Sequence, residues 1–184
     1  MVRFDPNNWY WLASDGRLYS SAVEGLIDAG SSDYQAWLAS GKFATLWPRD
    51  DAGNQTVAAL QAVLTRYGLF VDLVAYANAA QWAKATGGYV ATIDGQQVTF
   101  KTDSDGRDLM TSKAARLQQP NPPAIVQWQA GPTNFVNIAA ADFIRIATGA
   151  DDFVQSTFDK LAAALAGIGT GSITTRAQVD AALA

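Results

Sequence analysis

The sequence predicts an α+β fold in which short antiparallel β-hairpins pack with α-helices. Three observations predict it. Two Asp-Gly dipeptides, Asp15-Gly16 and Asp94-Gly95, lie between strand-like runs, and Asp-Gly favours tight hairpin turns. Stripes of apolar residues at helical spacing follow Asp, Asn or Ser residues suited to capping. Apolar residues make up 49% of the 184 positions and charged residues 16%, enough to build a packed core. The expected organisation is a small aromatic-rich N-terminal module over residues 1–52, with a hairpin and a short helix. A connecting helix spans 53–71, and a helix–hairpin–helix–hairpin–helix domain spans 72–184.

In the first module, Trp9-Tyr10-Trp11-Leu12 and Arg17-Leu18-Tyr19 form the arms of the Asp15-Gly16 hairpin, closed by a type I′ turn. Ser31 or Ser32 caps a short helix carrying Tyr34, Trp37 and Leu38, and Gly41 stops it. Trp47 precedes Pro48 and reads as extended backbone. The connecting helix starts at Asn54, with Val57, Leu60, Val63, Leu64 and Tyr67 on one stripe and Gly68 past its end.

In the larger domain, Asp72 caps a helix that runs to about Ala85 and closes at Gly87-Gly88. Tyr89 to Ile93 and Gln97 to Phe100 make the second hairpin, with Val98 and Phe100 on its buried face. Asp103 or Ser104 caps a helix carrying Leu109, Met110, Ala114 and Leu117, which Pro120, Pro122 and Pro123 terminate. Ile125 to Trp128 and Phe135 to Ile138 form a third strand pair around Gly131-Pro132-Thr133-Asn134. A helix then spans about Ala140 to Ala166, with Phe143, Ile146, Phe153, Val154, Phe158 and Leu161 inside and an interruption at Gly149. Gly167 to Gly171 reads as a flexible connector to a last short helix capped near Thr174 or Thr175.

Composition narrows the chemistry. The chain contains no histidine and no cysteine, which removes Ser-His and Cys-His pairs, thiolates and the commonest transition-metal ligand. Glu24 is the one glutamate beside sixteen aspartates, most of them placed where caps and turns want them. Asp151 and Asp152 are adjacent on a helix and therefore do not face each other as an acid/base dyad. Asp50-Asp51 flanks a glycine-bearing turn. Asp103-Ser104-Asp105-Gly106 resembles part of a calcium loop, but Lys101 and Ser112 stand where acidic ligands are required. No catalytic residue, metal site or cofactor is expected. The formal charge of −4 with scattered Lys and Arg argues against nucleic-acid binding. The opening Met1-Val2-Arg3-Phe4 lacks the pattern of a signal peptide, and Leu161 to Thr175 is too short to span a membrane.

The unusual feature is aromatic. Of six tryptophans, Trp9, Trp11, Trp37 and Trp47 fall in the first 47 residues, beside Tyr10, Tyr19, Tyr34 and Phe43. These rings have two readings: a small core, since each ring buries about 150–250 Å², or a partner surface rich in Trp and Tyr. The candidate partner-binding residues are Trp9, Tyr10, Trp11, Tyr34, Trp37 and Trp47. Tyr10, on the strand face opposite Trp9 and Trp11, is the best placed of them for an exposed contact. Trp82 and Trp128 are expected in the core of the larger domain.

Trp9-Tyr10-Trp11-Leu12-Ala13, Asp15-Gly16-Arg17, Tyr19-Ser20-Ser21, Asp33-Tyr34, Trp37, Gly41 and Trp47-Pro48-Arg49-Asp50 resemble the opening of small proteins encoded beside tail-fibre genes in tailed phages and prophages. The helix ending at Trp82, the hairpin through Phe100, Thr102-Asp103, Trp128 and the helix with Phe153 and Phe158 are similar to a domain of uncharacterised function in phage tail-fibre assembly proteins. The resemblance implies a non-catalytic assembly factor, or chaperone, binding a tail-fibre or other tail protein. Its place would be the bacterial host cytoplasm during assembly, with retention in the virion tail as a further expectation. Two alternatives stand beside it: a permanent structural component of the tail, baseplate or fibre, and a carbohydrate-binding fibre-tip module.

Overall fold

A computed structural model describes residues 4–184 and shows the mixed α+β architecture. The reading of Met1-Val2-Arg3 lies outside the described residues. Two compact units divide the chain, Met1–Tyr76 and Ala77–Ala184.

The first unit is built on a four-stranded sheet of order β3-β2-β1-β4, from β1 (Tyr10–Leu12), β2 (Leu18–Ser20), β3 (Gly25–Ile27) and β4 (Thr45–Leu46). β1 and β2 pair antiparallel with Trp11 opposite Tyr19, as the Asp15-Gly16 hairpin requires. The turn differs from the expected two-residue type. Gly16 N–H donates to the Ala13 carbonyl (3.1 Å) and Ala13 N–H to the Arg17 carbonyl (2.8 Å), while positive φ occurs at Gly16 alone (+91°). This is a type I turn followed by a glycine bulge. Asp15 braces it: its carboxylate accepts from Arg17 N–H (3.1 Å) and Arg17 Nε (2.8 Å). The backbone hydrogen bond from Arg17 holds the Asp15 carboxyl below the ordinary carboxylate range; desolvation opposes it, and the Arg17 side chain and charge add to the lowering.

β3 and β4 are strands that pattern reading leaves out. β3 extends the meander antiparallel to β2, and β4 returns parallel to β1 after α1 (Ser32–Ala39). α1 begins after Ser31 and stops before Gly41, whose φ of +82° few other residues adopt. α2 (Val57–Thr65) starts later than Asn54, because the Thr56 hydroxyl is the group that accepts the Ala59 N–H (3.2 Å). Leu60 and Leu64 from α2, with Leu69 and Val71 after it, enter the same core as Trp11 and Trp47. The segment expected to connect two modules is therefore part of the first one.

The division between the units falls within α3 (Leu73–Thr86), after Tyr76. Asp72 Oδ1 accepts the Ala75 N–H (2.8 Å) at its start, as expected. In the second unit, β5 (Tyr89–Ile93) and β6 (Gln96–Phe100) form a hairpin whose Asp94 and Gly95 have φ of +48° and +80°, a true two-residue turn. α4 (Ser104–Leu117) is capped by Asp103, which accepts the Gly106 N–H (2.8 Å). β7 (Ile125–Gln129) and β8 (Phe135–Ala139) make a second two-stranded sheet. α5 (Ala140–Thr170) runs for 31 residues, about 46 Å.

Neither Gly149 nor Gly167 interrupts α5. A methyl group at Gly149 would stand 2.7 Å from the Tyr89 hydroxyl, and one at Gly167 would stand 2.7 Å from Ile173 Cδ1. Both glycines serve close packing inside a continuous helix, so the expected connector is helical. It ends only at Gly171 (φ +74°), where Gly171 N–H donates to Ile168 and Ser172 N–H to Gly167. α6 (Arg176–Leu183) opens on a reciprocal cap between Thr175 and Gln178.

α3 is tied to α5 at Gln81, whose Nε2 donates to Thr157 Oγ1 (2.8 Å), and Tyr89 at the start of β5 lies by Gly149 and Phe153. The buried stripe of α3 in this unit is Ala77, Gln81 and Ala85, two small residues and one that is hydrogen-bonded. Trp82, expected in the core, is consequently turned outward and 61% exposed. Phe158, expected inside α5, is exposed as well. No helix among the described residues is long and apolar enough to cross a membrane.

Gly106 sits where a side chain would meet the Lys101 backbone and stand 2.6 Å from its Cβ. Gly106→Ala should therefore destabilise the protein by about 1–3 kcal/mol through overpacking. Gly169→Ala, in the same fold, meets nothing within 4 Å and should stabilise it by about 0.5–1 kcal/mol. Urea unfolding of the two variants checks the opposite signs.

Candidate functional site

The six rings named as partner-binding candidates are all buried. Trp9, Tyr10, Trp11, Tyr34, Trp37 and Trp47 belong to one core cluster with Leu18, Leu60 and Leu64. Tyr10, expected outward, is 3% exposed, because α1 covers its side of the sheet. Its ring lies 4.9 Å from both Tyr34 and Trp37. Trp37 also meets Trp9 edge-on at 5.1 Å, and Trp11 lies 5.8 Å from Tyr19. Two of the indole N–H groups are satisfied internally: Trp9 Nε1 donates to Thr45 Oγ1 (2.7 Å) and Trp47 Nε1 to the Thr56 carbonyl (2.8 Å), whereas Trp37 Nε1 is buried without a hydrogen-bond partner. The Arg17 guanidinium lies 4.8 Å from the Trp47 ring centroid and donates to the Gln55 carbonyl (2.7 Å). Such rings build a core and present no surface to a partner.

The exposed apolar residues of the second unit are more informative. A groove of about 640 Å³ lies between α4, the end of β6 and the β7–β8 hairpin. α4 contributes Gly106, Leu109 and Lys113, spaced three and four apart on one stripe beside the buried stripe of Met110, Ala114 and Leu117. Leu109, which periodicity places inside, is instead 54% exposed. The hairpin contributes Trp128 and Phe135. Trp128 is half-buried, stacked on Phe100 at 5.4 Å and 5.2 Å from Phe143, so the groove has a fixed aromatic floor. Phe135 pairs in register with Gln129 and is 56% exposed. Pro132 closes one end, its carbonyl accepting from Gln129 Nε2 (3.3 Å).

Residues 71–183 match a family described as a domain of unknown function, DUF4376. The chain belongs to this family. No curated protein and no solved structure matches it. The DUF4376 segment contains α4, both two-stranded hairpins and every residue of the groove, while the aromatic sheet of the first unit precedes it.

The charged residues lining this DUF4376 groove are Lys101 and Lys113, both exposed. Among the described residues, neither takes part in an ion pair. Nothing in the sequence assembles this site in advance, because its parts come from β6, α4, β7 and β8. The one available signal was the turn at Gly131 to Asn134, which leaves Phe135 at the start of a strand with little to cover it.

Separating core rings from groove residues gives a direct check. Trp11→Ala should cost about 3–5 kcal/mol, whereas Leu109→Ser and Phe135→Ser should each change stability by no more than about 0.5 kcal/mol. Urea midpoints of the three variants measure the contrast.

Proposed function

We propose that the protein is a non-catalytic assembly factor that holds a tail-fibre polypeptide, or another tail protein, during phage assembly. The observation that carries this reading is the groove, where Leu109 and Phe135 remain exposed around the half-buried Trp128. Exposed apolar residues clustered around a fixed aromatic floor are suited to an interaction site. The resemblance of the Trp9 to Asp50 segment to proteins encoded beside tail-fibre genes supplies the partner class. The sequence, without histidine or cysteine, suits a task of surface recognition more than one of bond making. Assembly would take place in the cytoplasm of the bacterial host. The carbohydrate-tip alternative rests on the aromatic-rich N-terminal segment and its Asp and Asn residues, and burial of the rings in a core weakens the aromatic part of that reading.

Co-expression with a phage tail-fibre polypeptide from the same genome tests the proposal. The expected result is more soluble, trimeric fibre and a complex that co-elutes on gel filtration. A Leu109→Ser/Phe135→Ser double variant should fold but lose most of that capture. Unchanged fibre yield, solubility and trimerisation would refute the assembly reading. Mass spectrometry of purified particles then separates a released factor, absent from them, from a permanent tail component.

A further inference from the structure

The charged lining of the groove is opposite in sign to the net charge of the chain. The chain as a whole is acidic, with a net charge of −4, yet the charged side chains lining the groove are both lysines. Lys113 stands one helical turn beyond Leu109 on α4, and Lys101 follows directly on β6. Positive ends on two different elements thus accompany an apolar floor.

The closeness of α4 to β6 fixes this arrangement. Gly106 allows the first turn of α4 to lie against the Lys101 backbone, where any larger residue would overlap. Thr102, buried beside it, donates no freedom to the segment, because its hydroxyl accepts the Gly88 N–H (3.0 Å). The Lys101 backbone is therefore held, and its side chain starts from a defined place.

We propose that the groove takes a short acidic segment of the partner polypeptide. One large apolar side chain of that segment would seat against Leu109, Trp128 and Phe135, with flanking carboxylates paired to Lys101 and Lys113. This rests on the assembly reading above and specifies the partner chemistry for the same site. A basic segment meets two like charges there, and an uncharged one leaves both lysines unpaired. Charge complementarity selects among apolar segments that would otherwise fit equally well.

A fluorescein-labelled decapeptide alternating aspartate with phenylalanine and leucine is the probe, read by anisotropy against the intact protein. A second peptide carries lysine for every aspartate. The acidic peptide should bind, weaken as salt is raised, and lose about tenfold in affinity to Lys101→Glu/Lys113→Glu. The same variant should gain affinity for the lysine peptide, an exchange that misfolding cannot produce. Equal binding of the two peptides, or acidic-peptide binding indifferent to both the charge reversal and Phe135→Ser, would overturn the inference. Capture of the fibre polypeptide that survives Lys101→Glu/Lys113→Glu but not Leu109→Ser/Phe135→Ser would sink the acidic specificity alone and leave the assembly reading standing.

Discussion

Burial of the apolar stripe of α5 is the interaction on which the second unit depends. Phe143, Ile146, Ala150, Val154, Leu161 and Ala164 lie buried along that helix. α4, α6 and the strands β5, β7 and β8 all pack on it. Each hairpin has only two strands, and a two-stranded sheet is marginal by itself in water. The hairpins do not hydrogen-bond to one another; the ring of Phe100 stacked on Trp128 joins them instead, with Phe143 of α5 tilted against Trp128. Joining through side chains leaves the outer sides of the strands unfilled, and the groove occupies the space beside them.

Local chemistry made much of this fold legible. Asp72, Asp103 and Thr175 cap helices by their own oxygen atoms, so their positions could be read from a few neighbouring residues. Asp94-Gly95 closes a two-residue turn for the same reason. β3 and β4 are three and two residues long, too short for alternation to register, and β4 exists only through pairing with the distant β1. α5 continues through glycines that lower helix propensity, because contacts with Tyr89 and Ile173 repay the loss.

Burial was harder to read than secondary structure. The α3 stripe inverts the usual rule: alanines and a glutamine go inward while Trp82 faces out. The Gln81–Thr157 hydrogen bond favours that choice, and it requires a partner helix 76 residues away. The N-terminal rings posed the opposite problem. Their composition fits a core as well as a surface, and covering elements settle the matter: α1 lies over Tyr10, and α2 supplies Leu60 and Leu64. The groove was least visible of all, since Leu109 carries no local mark of exposure and Phe135 only its place after the Gly131 to Asn134 turn.

The late arrival of residues 60–71 in the first core has a consequence for synthesis on the ribosome. Trp11 and Tyr19 are made early, yet the core around them includes Leu60, Leu64, Leu69 and Val71, and the Tyr19 hydroxyl donates to the Phe70 carbonyl across 51 residues. At about 5–20 residues per second, the nascent sheet waits on the order of seconds for its cover. A cluster of tryptophans is thus left without its full cover during elongation.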